Sequence, residues 1–247
     1  MKGIVLAGDS GTALYPLTIG VPKQLLPIYN RPMIYYPLET LKMSGIDDIL
    51  VITTAEQQPA FIKNLGDGSH IGVKLSYAVQ DEPKGIAEAL SIGQDFLNND
   101  SVCLITGDTI ITGSGLSKQI KKAINAVKKS GNATIFVAYD TDPGQYGRVI
   151  SNGDNQVTIV GDSENRNYYS ITGLYVFPRS AVKHVKSITI SERGRLEITA
   201  LSQLFQSEDK LQIQKLSNDC IWHDTNTFDG ILKCALYVKD SFPFNHV

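Results

Sequence analysis

The chain has 247 residues, 42% hydrophobic and 19% charged, an ordinary globular balance long enough to bury a large core without disulfides or metals. Lys and Arg total 23 against 25 Asp and Glu, and the net charge of −2 argues against a nucleic-acid partner, which calls for a basic excess or stripe. Three cysteines without CxxC spacing give neither a disulfide framework nor a zinc site, and no apolar run approaches a membrane span. The opening MKGIVLAG is apolar for too few residues to be a signal peptide, so a cytoplasmic location is expected.

In chain order, Gly3–Ala7, Ile49–Thr53, Val73–Val79 and Val102–Thr106 are short, β-branched apolar runs that predict strands. Between them, helices are predicted over Pro32–Ser44, Pro59–Leu65 and Gly85–Leu97. This alternation predicts βαβ units and a doubly wound, mainly parallel Rossmann-like α/β sheet, with ligands beyond the carboxyl ends of its strands. Next, Lys118, Lys121, Lys122, Lys128 and Lys129 share a helical pattern with Leu116, Ile120, Ile124 and Val127, and form the wet face of an amphipathic helix. Beyond residue 130 the rhythm changes. Ala133–Ala138, Arg148–Ser151, Val157–Val160 and Ile171–Phe177 predict a more antiparallel second half, followed by helices over Leu196–Phe205 and Phe228–Val238. Residues 1–247 are expected to form one domain with halves of about 1–130 and 131–247.

Chemistry is sought first in the loop after the first strand. Gly8 and Gly11 follow it, and small residues there let backbone N–H groups close around phosphates. The spacing is neither a Walker loop nor a dinucleotide fingerprint, and by itself it describes an ordinary turn equally well. Asp108 and Asp224 each follow an apolar run. Such carboxylates suit Mg²⁺, which keeps waters and substrate phosphates as its other ligands, yet the residues alone favour each Asp as a helix or turn cap. Gln80 offers a donor and an acceptor to a base edge, and is also a common loop residue.

Taken together, Leu6–Thr18 (LAGDSGTALYPLT) with Pro22 and Lys23 resembles the signature of the sugar-1-phosphate nucleotidyltransferase family. KQLLPIYNRPMIYYPLETL, LSYAVQDEPKGIAEAL, Gly66–Ser69, Gly107–Thr109, Tyr146–Gly147, Ile171–Tyr175, Arg193–Thr199 and Trp222–Thr227 resemble its thymidylyltransferase branch in the same order. The resemblance implies synthesis of a dTDP-sugar and pyrophosphate from dTTP and a hexose 1-phosphate, glucose 1-phosphate foremost. It implies nucleotide contacts from Leu6, Gly8, Gly11, Thr12, Lys23, Gln24, Gln80, Pro83, Gly85 and Asp108, and sugar contacts from Tyr146, Gly147, Ile171, Glu197 and Trp222. By the same resemblance Lys23, Asp108 and Asp224 are catalytic, the two aspartates hold Mg²⁺, and the chain forms a homo-oligomer.

The sequence also departs from the family pattern. Ala13 stands where the signature has arginine, Asp9 where it has glycine, and Thr109 where it has asparagine. The Glu-Lys-Pro expected near residues 160–164 is missing, and Arg195 and Ala200 replace acidic residues. An arginine on a transferring phosphoryl group can supply roughly 10³–10⁵ in rate. An alternative reading is therefore a weak or inactive nucleotide-sugar-binding regulatory pseudoenzyme, paired with an active relative. Arg195 is the candidate replacement for the lost cation.

Overall fold

The computed structural model describes residues 1–82, 84–139, 148–151, 157–160 and 168–241. The chain opens with β1 (Lys2–Leu6), the two-residue strands β2 (Pro27–Ile28) and β3 (Arg31–Pro32), α1 (Tyr35–Met43), β4 (Asp48–Thr53), α2 (Gln58–Leu65) and β5 (Lys74–Val79). Next come α3 (Glu88–Ile92), α4 (Gln94–Leu97), β6 (Val102–Thr106), β7 (Ile110–Thr112), α5 (Leu116–Ser130) and β8 (Ala133–Tyr139). The remainder is β9 (Arg148–Ser151), β10 (Val157–Val160), β11 (Tyr168–Phe177), α6 (Ala181–Val185), α7 (Ile198–Ser207), β12 (Leu211–Lys215), β13 (Ile221–His223) and α8 (Phe228–Ser241).

The main sheet runs β10-β9-β11-β6-β1-β4-β5, with β8 on β11 and β12 on β8. β1, β4, β5 and β6 are parallel to their neighbours within that group, whereas β11 is antiparallel to β6, β8 and β9. This is the expected doubly wound α/β sheet with an antiparallel extension. Side chains alternate across it. Ile4, Leu6, Leu50, Ile52 and Leu104 join a core completed by Ala89 and Leu90 of α3, Val185 of α6 and Leu201 and Phe205 of α7. On the other face Val5, Val51 and Ile105 meet Leu38 and Leu41 of α1, Phe61 and Leu65 of α2, and Ile120, Ile124 and Val127 of α5. Strands buried on both faces must be apolar throughout, which is why β1, β4 and β6 read as unbroken runs.

β7, α6, β12 and β13 were not expected, and two of the expected helices differ in extent. The helix expected from Pro32 begins at Tyr35, because residues 27–32 pair as a hairpin with Pro27 opposite Pro32. The helix expected over Gly85–Leu97 is two short helices meeting at Gly93. A small ribbon, β7 against β13, lies apart from the main sheet with His223 opposite Ile110.

Candidate active site

The strand order reverses between β1 and β6: β4 and β5 lie on one side of β1, and the chain then crosses back to β6. In such sheets the crevice beyond the carboxyl ends at this point receives the ligand. Backbone bonds align those ends. Gly107 N donates to Leu6 O at 2.8 Å, Ala7 N to Ile52 O at 2.7 Å, and Gln80 N to Thr53 O at 2.8 Å. Leu6, Gly8, Gln80 and Asp108 are thereby brought to the same end of the sheet, Asp108 on the β6 side and Gln80 on the β5 side.

On the β6 side, Lys23 sits in a single 3₁₀ turn after Pro22 and is only 1% exposed. An ammonium removed from water requires close compensation. Lys23 Nζ donates to Asp108 Oδ2 at 2.6 Å and to Asn226 Oδ1 at 2.5 Å, and stands 3.8 Å from Asp9 Oδ2. Burial pushes the Asp108 carboxyl up. The Lys23 charge and hydrogen bond, with the Thr106 hydroxyl on Oδ1 at 2.8 Å, outweigh that and hold it below the usual carboxylate range. Asp9 therefore faces a cation rather than adding an uncompensated negative charge, and its Oδ1 also accepts from Gly11 N at 3.2 Å. The glycine loop is closed by Thr18 Oγ1 donating to Gly11 O at 2.6 Å.

The ribbon explains how the segment after residue 222, far from Asp108 in sequence, reaches it. With His223 opposite Ile110, antiparallel continuation brings Thr225 to Asp108, and Thr225 Oγ1 donates to Asp108 O at 2.9 Å. Asp224 accepts from Asn226 N at 2.8 Å and Thr227 Oγ1 at 2.7 Å, which fixes its carboxylate at the head of the loop. Thr109 braces the opposite end. Its buried hydroxyl donates to Thr172 O at 2.8 Å and lies 2.7 Å from Thr106 Oγ1. The irregularity in β11 accommodates this brace: Gly173 has φ of 83°, and a Cβ there would overlap Thr109 Oγ1.

On the β5 side, Gln80 is 2% exposed, and its Nε2 donates to Glu88 Oε2 at 2.6 Å. Gly85 has φ of 104°, and a Cβ there would run into the carbonyl oxygen of Leu196. Only glycine tolerates both the left-handed backbone and that approach. Leu196 is clasped there, its N donating to Lys84 O at 2.6 Å and its O accepting from Ala87 N at 3.3 Å.

The other expected site residues are placed as follows. Thr12 and Ala13 are exposed in the short turn after Gly11. Gln24 is 1% exposed, and its Oε1 has no hydrogen-bond partner among the described residues. Ile171 is buried in β11 just before the irregularity. Glu197 precedes α7 and accepts from Ser191 Oγ at 3.3 Å, while Trp222 lies opposite Ile111 in the ribbon. Arg195 is exposed in a turn closed by Ser191 N on Arg195 O at 2.9 Å. Pro83, Tyr146, Gly147 and residues 161–164 lie outside the described residues. Sequence reasoning passed over Asn226 and Glu88, which hold the two buried polar side chains. Asn226 stands two residues after Asp224 in WHDTNT, a spacing that offered a signal, whereas Glu88 offered none.

Carboxylates at 108 and 224 are hard oxygen donors, and Asp108 is held ionised. Among the described residues no group of three or more His, Cys, Asp or Glu could hold a metal ion alone. Carboxylate oxygens are the donor type Mg²⁺ takes, with water and substrate oxygens as its usual further ligands. No helix among the described residues is long and apolar enough to cross a membrane.

Fold and crevice together define an α/β protein with a charged ligand site at the switch point of a doubly wound sheet. A model of nucleotidyl transferases matches residues 2–241. The chain is 43% identical over 241 residues to a glucose-1-phosphate thymidylyltransferase of Mycolicibacterium smegmatis, covering 97% of this chain and 82% of that protein. It is 42% identical to one of Neisseria meningitidis, with coverage of 97% and 83%. A solved structure of a putative glucose-1-phosphate thymidylyltransferase from Bacillus anthracis, in complex with a sucrose, superposes with a TM-score of 0.86 at 30% identity, covering 100% of this chain and 97% of that one. This chain belongs to the nucleotidyl transferase family.

Proposed function

We propose that this chain transfers a thymidylyl group from dTTP to a hexose 1-phosphate, glucose 1-phosphate foremost, giving a dTDP-sugar and pyrophosphate. The observation that carries this reading is its likeness to glucose-1-phosphate thymidylyltransferases across 97% of the chain, at 43% identity. A sugar-phosphate oxygen attacks the α-phosphorus in line, the bond to the β-phosphate oxygen breaks, and pyrophosphate departs. Asp108 and Asp224 would hold Mg²⁺, which when bound neutralises charge on the phosphates. The chain's own part is positioning. Lys23 keeps Asp108 ionised and correctly turned, Gly8 and Gly11 admit the phosphates with Leu6, Thr12 and Gln24 alongside, and Gln80, Pro83 and Gly85 receive the base. Tyr146, Gly147, Ile171, Glu197 and Trp222 receive the sugar. Holding two reactants in line supplies much of such a rate.

In this reading the 247 residues work as one nucleotidyltransferase domain, with a nucleotide-binding half to about residue 130 and a sugar-binding half beyond. The protein acts in the cytoplasm as a homo-oligomer. Magnesium-dependent pyrophosphate release, assayed across the four deoxynucleotides and several sugar 1-phosphates, tests the reaction. Release that is fastest with dTTP and glucose 1-phosphate is expected; release with dATP alone, or none with any pair, overturns it.

A further inference from the structure

We infer that Glu88 is a positioning residue that fixes the amide of Gln80 as a hydrogen-bond acceptor and so selects bases carrying an N3–H, thymine or uracil, over cytosine. This rests on the proposed function above, in which Gln80 meets the base. Gln80 is nearly sealed, at 2% exposure, and its backbone N is tied to Thr53 O at 2.8 Å, so the side chain cannot move away as a body. What stays adjustable is a half-turn of the amide, which exchanges oxygen for nitrogen. A carboxylate only accepts hydrogen bonds, so the atom facing Glu88 Oε2 at 2.6 Å must be the nitrogen. The second N–H points toward Gly85 O, 3.4 Å away. Both donors are thus directed at protein acceptors. Oε1 is left beside the bare Cα of Gly8, where a Cβ would stand 2.9 Å from it. The side-chain hydrogen bonds of Gln80 to described residues both run from Nε2, and Oε1 takes part in neither.

An unrestrained glutamine serves either kind of base, because it can turn its donor or its acceptor outward. A glutamine held by a carboxylate cannot. Thymine presents N3–H to such an oxygen; cytosine presents the N3 lone pair, and two facing acceptors repel. A site built to satisfy one partner rejects the analogue that leaves its polar group unpaired. Glu88→Gln keeps shape and size but can accept or donate, so the amide of Gln80 regains its half-turn. Glu88→Asp shortens the side chain yet keeps it acceptor-only.

The experiment measures kcat/KM for dTTP and dCTP with saturating glucose 1-phosphate on the full chain, and Kd for both nucleotides by calorimetry. The expected result is a dTTP/dCTP ratio that falls about tenfold in Glu88→Gln and stays within about threefold of the parent in Glu88→Asp. A merely structural role predicts the reverse order, with the shorter aspartate worse than the isosteric glutamine, and that order overturns the inference. In a Gln80→Leu background Glu88→Gln should leave the ratio unchanged; a tenfold fall there also overturns it. Should the parent bind nucleotides without turnover, the proposed reaction fails, while the Kd ratios test the inference by the same criteria.

Discussion

The two rims of the crevice solve one problem differently. Each buries a long polar side chain and gives it a carboxylate: Lys23 has Asp108, and Gln80 has Glu88. At Lys23 the pairing saturates, since Asn226 and Asp9 also surround the ammonium. At Gln80 it leaves one oxygen open beside Gly8. A charged pair must be satisfied internally to exist at all in a dry place, so the Lys23 rim is a rigid strut. A neutral amide is less costly to leave partly unpaired and can hold a contact in reserve for a ligand. Rigidity at Lys23 and readiness at Gln80 are what the difference teaches.

Breaking the strut should have the largest effect. Lys23→Met leaves Asp108 beside Asn226 without its cation, and is expected to cost about 3–5 kcal/mol of stability and to abolish turnover. A urea midpoint like that of the parent would show that the ion pair is not the strut. On the base rim, Gly85→Ala places a Cβ against Leu196 O at a φ of 104° and should cost about 1–3 kcal/mol while weakening nucleotide binding. Unchanged melting and affinity would deny the clasp any importance.

Acid should loosen the ribbon that carries Thr225 to Asp108. Burial lowers the His223 pKa from 6.5 to about 4 where its Nε2 lies 2.9 Å from Thr112 Oγ1. The unfolded chain therefore binds more protons than the folded one between those values, so this stability is complete above the unfolded pKa and declines as pH falls toward 4. Urea titrations with chelator present should show a loss of about 1–2 kcal/mol from pH 7 to 5 that is absent in His223→Gln. The smallest test concerns the exposed turn. Ala13→Arg should raise kcat/KM for dTTP about tenfold by adding a cation beside the phosphates. Adding Asp9→Gly should contribute little more, because Asp9 is already faced by Lys23. A large further gain from Asp9→Gly would mean that its charge is not offset.

The parallel strands were legible because burial on both faces demands unbroken apolar runs, and β6 appears at its expected limits, Val102–Thr106. The loops that follow were singled out only by the family resemblance, because a glycine turn or an aspartate after a strand is by itself ordinary turn chemistry. The ribbon was not legible. β7 and β13 have three residues each, too few for any periodicity, yet their register carries Thr225 to Asp108. Glu88 was invisible for another reason: an acidic residue opening a helix looks like ordinary surface until a buried amide is seen to face it. The start of α1 was misjudged because Pro32, plausible as a first helical residue, is committed to the hairpin with Pro27.

The clasp at Leu196 ties two parts of the molecule that the reaction must bring together. Its N and O are bonded to Lys84 and Ala87, on either side of Gly85, and the next residue is Glu197 at the start of α7. The connection is peptide to peptide, and in the loop it is most sensitive to Gly85, where an added Cβ would meet Leu196 O. Displacing the base-side loop drags the head of α7, and with it the carboxylate proposed to meet the hexose. Under the proposed function, a substitution that shifts the base loop would also shift Glu197 through the same pair of backbone bonds.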